Sequence, residues 1–170
     1  MVVLGIDPGL ANLGFGVVAR RGGRLVALDG GVVTTPAGQA PELRLAEIQR
    51  RVHELLLTYG PAAVALEALY FGQNVRTAFA VGQARGAVLA AAGARGIACH
   101  DYTPQQVKGA VCGTGRAPKD QVIRMVQALL SLPPDPIADH AADALAVAVC
   151  HANHAPLRDC ALAATAAGAR

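Results

Sequence analysis

The sequence predicts an α/β fold in which a mixed five-stranded sheet is flanked by helices. Three β-branched apolar segments come first, and glycine-containing turns separate them, which favours a meander of hairpins. Helical and extended patterns then alternate along the chain, as expected when later strands join a sheet through helical connections.

The first half of the chain supplies four of the expected strands. "VVLGID" is a strand that ends on Asp7, and "GFGVVAR" and "GRLVALDGGVV" are two more strands joined through "RGG". A helix from Pro41 to about Tyr59 follows, because the apolar residues there keep helical spacing. "AAVALE" is then a short buried strand that ends on Glu67.

The second half adds one strand and several helices. A helix over residues 74–92 precedes the strand "GIACHDY". The next helix opens with Thr103 as its cap and Pro104 at its first position, and another helix covers residues 118–130.

The last helix is expected to begin in "DPIADHAADALAVAVCH", with Asp135 as N-cap and Pro136 as first helical residue. Residues 1–152 then form one domain. The tail over residues 153–170 lacks a bulky apolar stripe, and we expect it to be disordered.

Length and composition indicate one domain without a membrane segment. A chain of 170 residues can bury a single sizeable core, and no segment approaches the roughly 20 consecutive apolar residues that span a bilayer. The first residues show no basic region or cleavage site of a secretory signal, so we expect a cytoplasmic protein. The four cysteines are spaced 13, 38 and 10 residues apart, which matches neither a metal knuckle nor a disulfide framework.

The charge is modest but unevenly distributed. The net charge is +3, yet residues 70–124 alone carry seven basic and two acidic side chains, which is +5. Such clustering favours a phosphate-binding surface, although a solvated basic face gives the same pattern.

Two predicted strands end on an acidic residue. If the strands that carry Asp7 and Glu67 are neighbours, the two carboxylates lie side by side at the end of the sheet and repel each other. A divalent cation between them removes that penalty, and oxygen ligands suit Mg²⁺ or Mn²⁺. The strand ends therefore predict a metal site.

Three titratable residues open the last helix. Asp139, His140 and Asp143 fit within one face of a helix, so geometry alone excludes none of them. A carboxylate in the first turn is favoured by the helix dipole, which explains Asp139 without a metal. Asp143 lies one turn deeper in an apolar helix, and we expect it and His140 to be functional.

Two glycine-rich motifs fit poorly with nucleotide binding. "GFGVVA" has the glycines of a dinucleotide fingerprint, but Gly14 and Gly16 lead into a strand rather than a helix. "GTGRAPK" lacks the Gly-Lys-Ser/Thr ending of a phosphate loop.

Four stretches together resemble the RuvC family of bacterial Holliday-junction resolvases, which has the RNase H-like fold. They are "GIDPGLANLGFGVV", "ALEALYFGQNVRTAFAVGQARG", "TPQQVKGAVCGTGRAPKDQV" and "ADHAADALAVAV", and the resemblance covers roughly residues 1–152. It implies a homodimeric, metal-dependent endonuclease that places symmetric nicks in two strands of a four-way DNA junction. It further implies 5′-phosphate and 3′-hydroxyl products and cooperation with the RuvA and RuvB branch-migration proteins.

The resemblance also implies a ligand set. Asp7, Glu67 and Asp143 match the family's metal-binding acids. The usual D-A-A-D pattern of the last helix has His140 here in place of its first acid, and Asp139 would match only if a residue were inserted. We therefore expect Asp7, Glu67, His140 and Asp143 to hold two Mg²⁺ or Mn²⁺ ions.

A second set of residues is expected to bind DNA. Tyr70 matches the family's stacking aromatic, and Lys108 and Lys119 match lysines near the junction backbone. The remaining candidates, from position and charge, are Phe71, Asn74, Arg76, Arg85 and Arg116.

The helix over residues 74–92 carries Ala78, Gly82 and Gly86 at four-residue steps. This flat face would let the same helix of a second copy approach closely, and packing within the chain would use it equally well. A two-fold dimer there would match the near two-fold symmetry of a junction.

Three other functions remain open at this point. Another RNase H-like nuclease, such as a YqgF-like resolvase, shares the first-strand aspartate and its glycine turn. An actin-like nucleotide-binding module begins in the same way but needs two such halves. A protein that binds junctions without cutting them would not need the acidic ligands.

Overall fold

A computed structural model of the protein describes residues 1–68 and 75–167, with side chains described for residues 1–68 and 77–155. In chain order the elements are β1 Val2–Asp7, β2 Asn12–Arg21, β3 Arg24–Thr34, α1 Pro41–Tyr59, β4 Ala63–Glu67, α2 Val75–Gly93, β5 Ala98–Tyr102, α3 Pro104–Cys112, α4 Lys119–Leu130 and α5 Asp139–Ala167. The α/β class is confirmed, and the expected elements are present at the expected positions except at the two ends of α5.

The sheet is mixed, and its strand order is β3-β2-β1-β4-β5. The first three strands form an antiparallel meander, while β4 and β5 add in parallel beside β1. Tight turns can join antiparallel strands, but parallel strands need the helical crossovers that α1 and α2 provide. The carboxyl ends of β1, β4 and β5 therefore lie at one edge of the sheet.

Helices cover both faces of the sheet, and each face has its own hydrophobic core. On the α1/α2 face, β-strand residues such as Leu4, Ile6 and Leu66 pack against the two helices and are almost completely buried. On the α5 face, Val3, Ala65 and other strand residues pack against α3, α4 and α5.

Helix α5 lies unusually close to the sheet because the strand residues beneath it are glycines. A Cβ atom at Gly14 would lie 1.9 Å from the carbonyl oxygen of His140, and one at Gly5 would lie 2.1 Å from that of Ala144. Gly16 is equally constrained, since its Cβ would lie 2.7 Å from the nitrogen of Leu145. Glycine is required at these positions for close backbone approach.

Arg20 fastens the middle of α5 to β2. Its Nη2 donates to the carbonyl oxygen of Ala152 at 2.8 Å and to Oδ1 of Asn153 at 2.9 Å. These bonds fix the position of α5 along the sheet at a second point, away from the residues of α5 that pack on the glycines.

The start of α3 agrees with the sequence, whereas the start of α5 does not. Thr103 and Gln106 form the two reciprocal hydrogen bonds of a capping box at α3. Helix α5 begins at Asp139, so the expected cap at Asp135 and first turn at Pro136 are wrong. The side chain of Gln127 donates to the backbone carbonyl of Asp135 at 2.9 Å and thereby holds that residue in the preceding loop.

Helix α5 also continues further than the sequence suggested. The backbone of residues 153–167 extends it to Ala167, where we expected a disordered tail. Alanine has the highest helix propensity, and this segment is rich in it, which explains the difference. The division of the chain into a domain over residues 1–152 and a separate tail stays a prediction.

Within the part of the chain that the structure describes, none of the helices is long and apolar enough to cross a membrane.

Candidate active site

Asp7 and Glu67 lie side by side at the edge of the sheet, as expected from the strand ends. The register pairs Ile6 with Leu66, and each acidic residue comes one position later. Because side chains alternate between the faces of a strand, and Ile6 and Leu66 point to the α1/α2 face, both carboxylates point to the α5 face.

Helix α5 brings His140 and Asp143 to the same place. The Nδ1 atom of His140 lies 2.7 Å from Oδ2 of Asp7. Asp143 accepts a hydrogen bond from Nζ of Lys119 at 3.0 Å. The close packing on Gly14 makes this possible, because the backbone of His140 rests directly on the strand residue opposite Asp7.

Asp139 has a different environment from its two neighbours. Its side chain is 67% exposed, and it lies 3.3 Å from Lys119 in a surface ion pair. It is also in the first turn of α5, where the helix dipole favours a carboxylate. These observations explain Asp139 without a role in the cluster.

The carboxylates of the cluster disfavour one another's ionisation. Burial, followed by the negative charges of Asp7 and Asp143, raises the pKa of Glu67 to about 7. Burial is also the main cause that raises the pKa of Asp7, and the charge of Asp143 adds to it, while the hydrogen bond from His140 works in the opposite direction. Cations near this cluster therefore stabilise it.

Two lysines supply positive charge on one side of the cluster. Lys108 and Lys119 line a small cavity of about 140 Å³ together with Glu67 and Asp143. Although its partial burial opposes the change, hydrogen bonds to Asp143 and Asp139 raise the pKa of Lys119, which keeps it charged.

The side chains of the cluster are of the type that binds a hard divalent cation, but their present distances from one another do not bring three of them onto one ion. Carboxylate oxygens are the ligands that Mg²⁺ and Mn²⁺ prefer, and a cation would offset both the burial and the repulsion that raise the pKa of Glu67. However, no group of three or more His, Cys, Asp or Glu side chains is close enough to hold one ion within the residues described. Instead, Asp7 is paired with His140 and Asp143 with Lys119.

The candidate DNA-binding residues are only partly described. Arg116 is exposed in the loop before α4. Arg85 forms an ion pair with Asp101 at 2.6 Å, and its side chain is only 16% exposed, so its contact with DNA stays a prediction. Tyr70, Phe71 and Asn74 and the side chain of Arg76 lie outside the described residues.

The sequence reasoning missed the glycines that build this site. In the sequence, Gly14 and Gly16 suggest only a nucleotide fingerprint, and no motif marks Gly5. Two glycines spaced two apart within a strand place both on one face, and that spacing is the signal for the close approach of another backbone.

A mixed sheet whose parallel strands end in clustered carboxylates, with lysines beside them, defines a candidate metal-dependent enzyme that acts on phosphodiesters. Comparison with known proteins identifies the family. The model of the family described as "Crossover junction endodeoxyribonuclease RuvC" matches residues 3–151. The chain therefore belongs to the RuvC family of crossover junction endodeoxyribonucleases.

Individual relatives agree with this assignment. The RuvC protein of Moorella thermoacetica is 53% identical over 158 residues, which are 93% of this chain and 95% of that protein. The structure of Thermus thermophilus RuvC matches with a TM-score of 0.86 at 43% identity, and the match covers 92% of this chain and 96% of the Thermus chain. A second structure, of Thermus thermophilus RuvC in complex with a Holliday junction substrate, has a TM-score of 0.85 at 41% identity over the same shares.

Proposed function

We propose that this protein resolves four-way DNA junctions by paired symmetric nicks, hydrolysing one phosphodiester in each of two strands to leave 5′-phosphate and 3′-hydroxyl ends. Membership of the RuvC family supports the substrate. The observation that carries the chemistry is the cluster of Asp7, Glu67 and Asp143 at one sheet edge, with His140 bonded to Asp7.

The residues of the cluster would hold two divalent cations, Mg²⁺ or Mn²⁺. When bound, such ions supply Lewis-acid chemistry that activates water and offsets charge on the departing oxygen. Asp7, Glu67 and Asp143 provide the oxygen donors, and burial together with the charges of Asp7 and Asp143 explains why Glu67 resists ionisation without a cation. Lys108 and Lys119 add positive charge where a phosphate would approach.

His140 is the fourth member of the cluster in this proposal, in preference to Asp139. If its Nδ1 carries the proton and donates to Asp7, the imidazole both orients that carboxylate and leaves Nε2 able to accept or coordinate. Asp139 instead points to Lys119 at the surface.

The protein would contact DNA through residues around the cluster. Lys108, Lys119 and Arg116 would neutralise backbone phosphates. Tyr70, with Phe71 beside it, would stack on an unpaired base, and Asn74 and Arg76 would contact the same strand.

A homodimer with two-fold symmetry would place two such sites on two strands of a junction. Helix α2 supports this assembly, because Phe79 is 68% exposed and a Cβ atom at Gly82 or Gly86 would meet nothing within 4 Å. Family membership further supports action in the cytoplasm together with the branch-migration proteins RuvA and RuvB.

A cleavage assay on a synthetic four-way junction tests the proposal. With Mg²⁺ or Mn²⁺ the protein should cut two opposite strands symmetrically, and it should leave a linear duplex and an RNA/DNA hybrid uncut. Asp7→Asn should abolish cutting but retain junction binding. Binding without cleavage in either metal would favour a junction-binding module, and cleavage of the hybrid would indicate another RNase H-like nuclease.

A further inference from the structure

A second hollow adjoins the active site on the side of His140. Its volume is about 410 Å³, and it lies between the turn after β1, the first turn of α1 and the start of α2. The residues that matter here are Asn12, Arg44, Thr77, Ala80 and His140. It shares no lining residue with the cavity that contains Lys108 and Lys119, but both hollows reach the cluster, one through Glu67 and Asp143 and the other through His140.

Arg44 is held in a fixed position at this hollow. Its Nε donates to Oγ1 of Thr35 at 2.8 Å. Thr35 is 3% exposed, and its hydroxyl in turn donates to the carbonyl oxygen of Leu10 at 2.5 Å, while its backbone N–H donates to that of Ala11. The guanidinium is therefore anchored to the turn that follows Asp7.

The charge of Arg44 is not neutralised by a neighbouring acid. Among the residues whose side chains are described, Arg44 forms no ion pair, and the one hydrogen bond of its side chain runs from Nε to a neutral hydroxyl. In contrast, several other basic residues contact a carboxylate: Arg50, Arg51, Arg85, Lys119 and Arg124. The terminal nitrogens of Arg44 keep their donors, which form a fork suited to phosphate oxygens.

We infer that this hollow binds the backbone of the DNA strand being cut, and that Arg44 contacts a phosphate next to the scissile one. This inference rests on the proposed function. Lys108 and Lys119 line the hollow that contains Glu67 and Asp143, whereas Arg44 lines the hollow that contains His140, so a strand that crosses the cluster would meet positive charge in both hollows. Contacts in both hollows fix the position of the scissile phosphate, which catalysis requires.

The other lining groups suit the same occupant. Asn12 is exposed at the rim, where its Oδ1 accepts from the hydroxyl of Thr34, so its amide N–H₂ can donate to a phosphate. Within the residues that are described, the lining contains no Asp or Glu, in contrast to the other hollow with Glu67 and Asp143. A polyanion therefore meets no repulsion from the lining itself.

Salt-dependent binding to a synthetic four-way junction tests the inference. Binding is measured by fluorescence anisotropy from about 50 to 200 mM KCl with a chelator present, so that no cleavage occurs. Arg44→Gln should lower the affinity about tenfold and reduce the slope of log K against log salt by about 0.9. Arg44→Lys should retain most of that slope. Arg50→Gln, on the same helix but paired with Glu47 and Glu54, is the matched control and should change neither quantity.

A second variant and a melting curve separate phosphate binding from a structural role. Asn12→Asp keeps the acceptor for Thr34 but adds a negative charge to the hollow, so it should weaken binding without lowering Tm. If Arg44→Gln does not fold, this variant decides the question. An Arg44→Gln protein that matches Arg50→Gln in slope and affinity, or an Asn12→Asp protein with wild-type affinity, overturns the inference. Failure of the wild-type protein to cut junctions in Mg²⁺ or Mn²⁺ overturns the proposed function instead, and the slopes still decide the role of Arg44.

Discussion

The two faces of the sheet are packed in different ways. On the α1/α2 face, large side chains such as Leu4, Ile6 and Leu66 fill the space between strands and helices. On the α5 face, Gly5 and Gly14 leave no side chain between strand and helix, so backbones touch. The α1/α2 face contributes burial of apolar area, whereas the α5 face sets the distance between the strand that carries Asp7 and the helix that carries its partners.

The largest expected effect comes from adding a side chain between the sheet and α5. Gly14→Ala adds a Cβ 1.9 Å from the carbonyl oxygen of His140, so α5 must move away from the sheet. We expect a loss of about 1–3 kcal/mol in the free energy of unfolding and about a hundredfold in cleavage rate.

The matched variant on the other face is Leu56→Ala, in the fully buried part of α1. It should cost about 2–5 kcal/mol in stability but leave the cleavage rate of the folded protein close to wild type. Urea unfolding and single-turnover cleavage measure both quantities. Equal losses of cleavage rate in the two variants would show that the close packing on the α5 face has no special role in cleavage.

A second prediction concerns which residues of α5 belong to the site. His140→Ala removes the partner of Asp7 and should reduce cleavage by at least about tenfold. Asp139→Asn changes only a surface ion pair and a dipole contact, so it should cost no more than about 1 kcal/mol in stability and little activity. The opposite result in single-turnover assays would mean that Asp139 is the ligand.

A third prediction concerns the choice of metal. Imidazole is a softer ligand than carboxylate, so the wild-type protein should favour Mn²⁺ over Mg²⁺ by several-fold more than His140→Asp does. The ratio of cleavage rates in the two metals measures this preference. Equal ratios would exclude a direct contact between His140 and the metal.

The last prediction concerns how the stability of the protein depends on pH in the presence of a chelator. The pKa of Glu67 is raised from 4.5 to about 7, so the unfolded chain ionises first as the pH increases. Stability that is present below pH 4.5 is therefore lost progressively until about pH 7, by about 1–2 kcal/mol after allowance for partial exposure. Glu67→Gln should flatten this part of the curve of Tm against pH, and an unchanged curve would contradict the raised pKa.

The acidic residues of β1 and β4 could be located from the sequence, because an apolar run that ends on an acid marks the end of a buried strand. The register of Ile6 with Leu66 confirms that the two ends are adjacent. The pairing of His140 with Asp7 also agrees with the expected position of the last helix.

The start of α5 and the closeness of its contact with the sheet could not be predicted in the same way. Pro136 fits the first turn of a helix, but the bond from Gln127 to Asp135 is a tertiary contact that no local pattern contains. The need for glycine at position 14 likewise depends on which helix lies above it. Local patterns specify elements, whereas distances between elements depend on the packed whole.

The bond from Arg20 to Ala152 also restricts sliding of α5 along its own axis. A shift by one residue would move the helix 1.5 Å and turn it by 100°, which would carry Asp143 away from Glu67. Arg20 is bonded to Ala152, which lies about three helical turns beyond His140 in α5. The length of helix between these two contacts is therefore fixed. A one-residue insertion in that stretch would leave a choice between losing the bond to Arg20 and losing the alignment of His140 with Asp7.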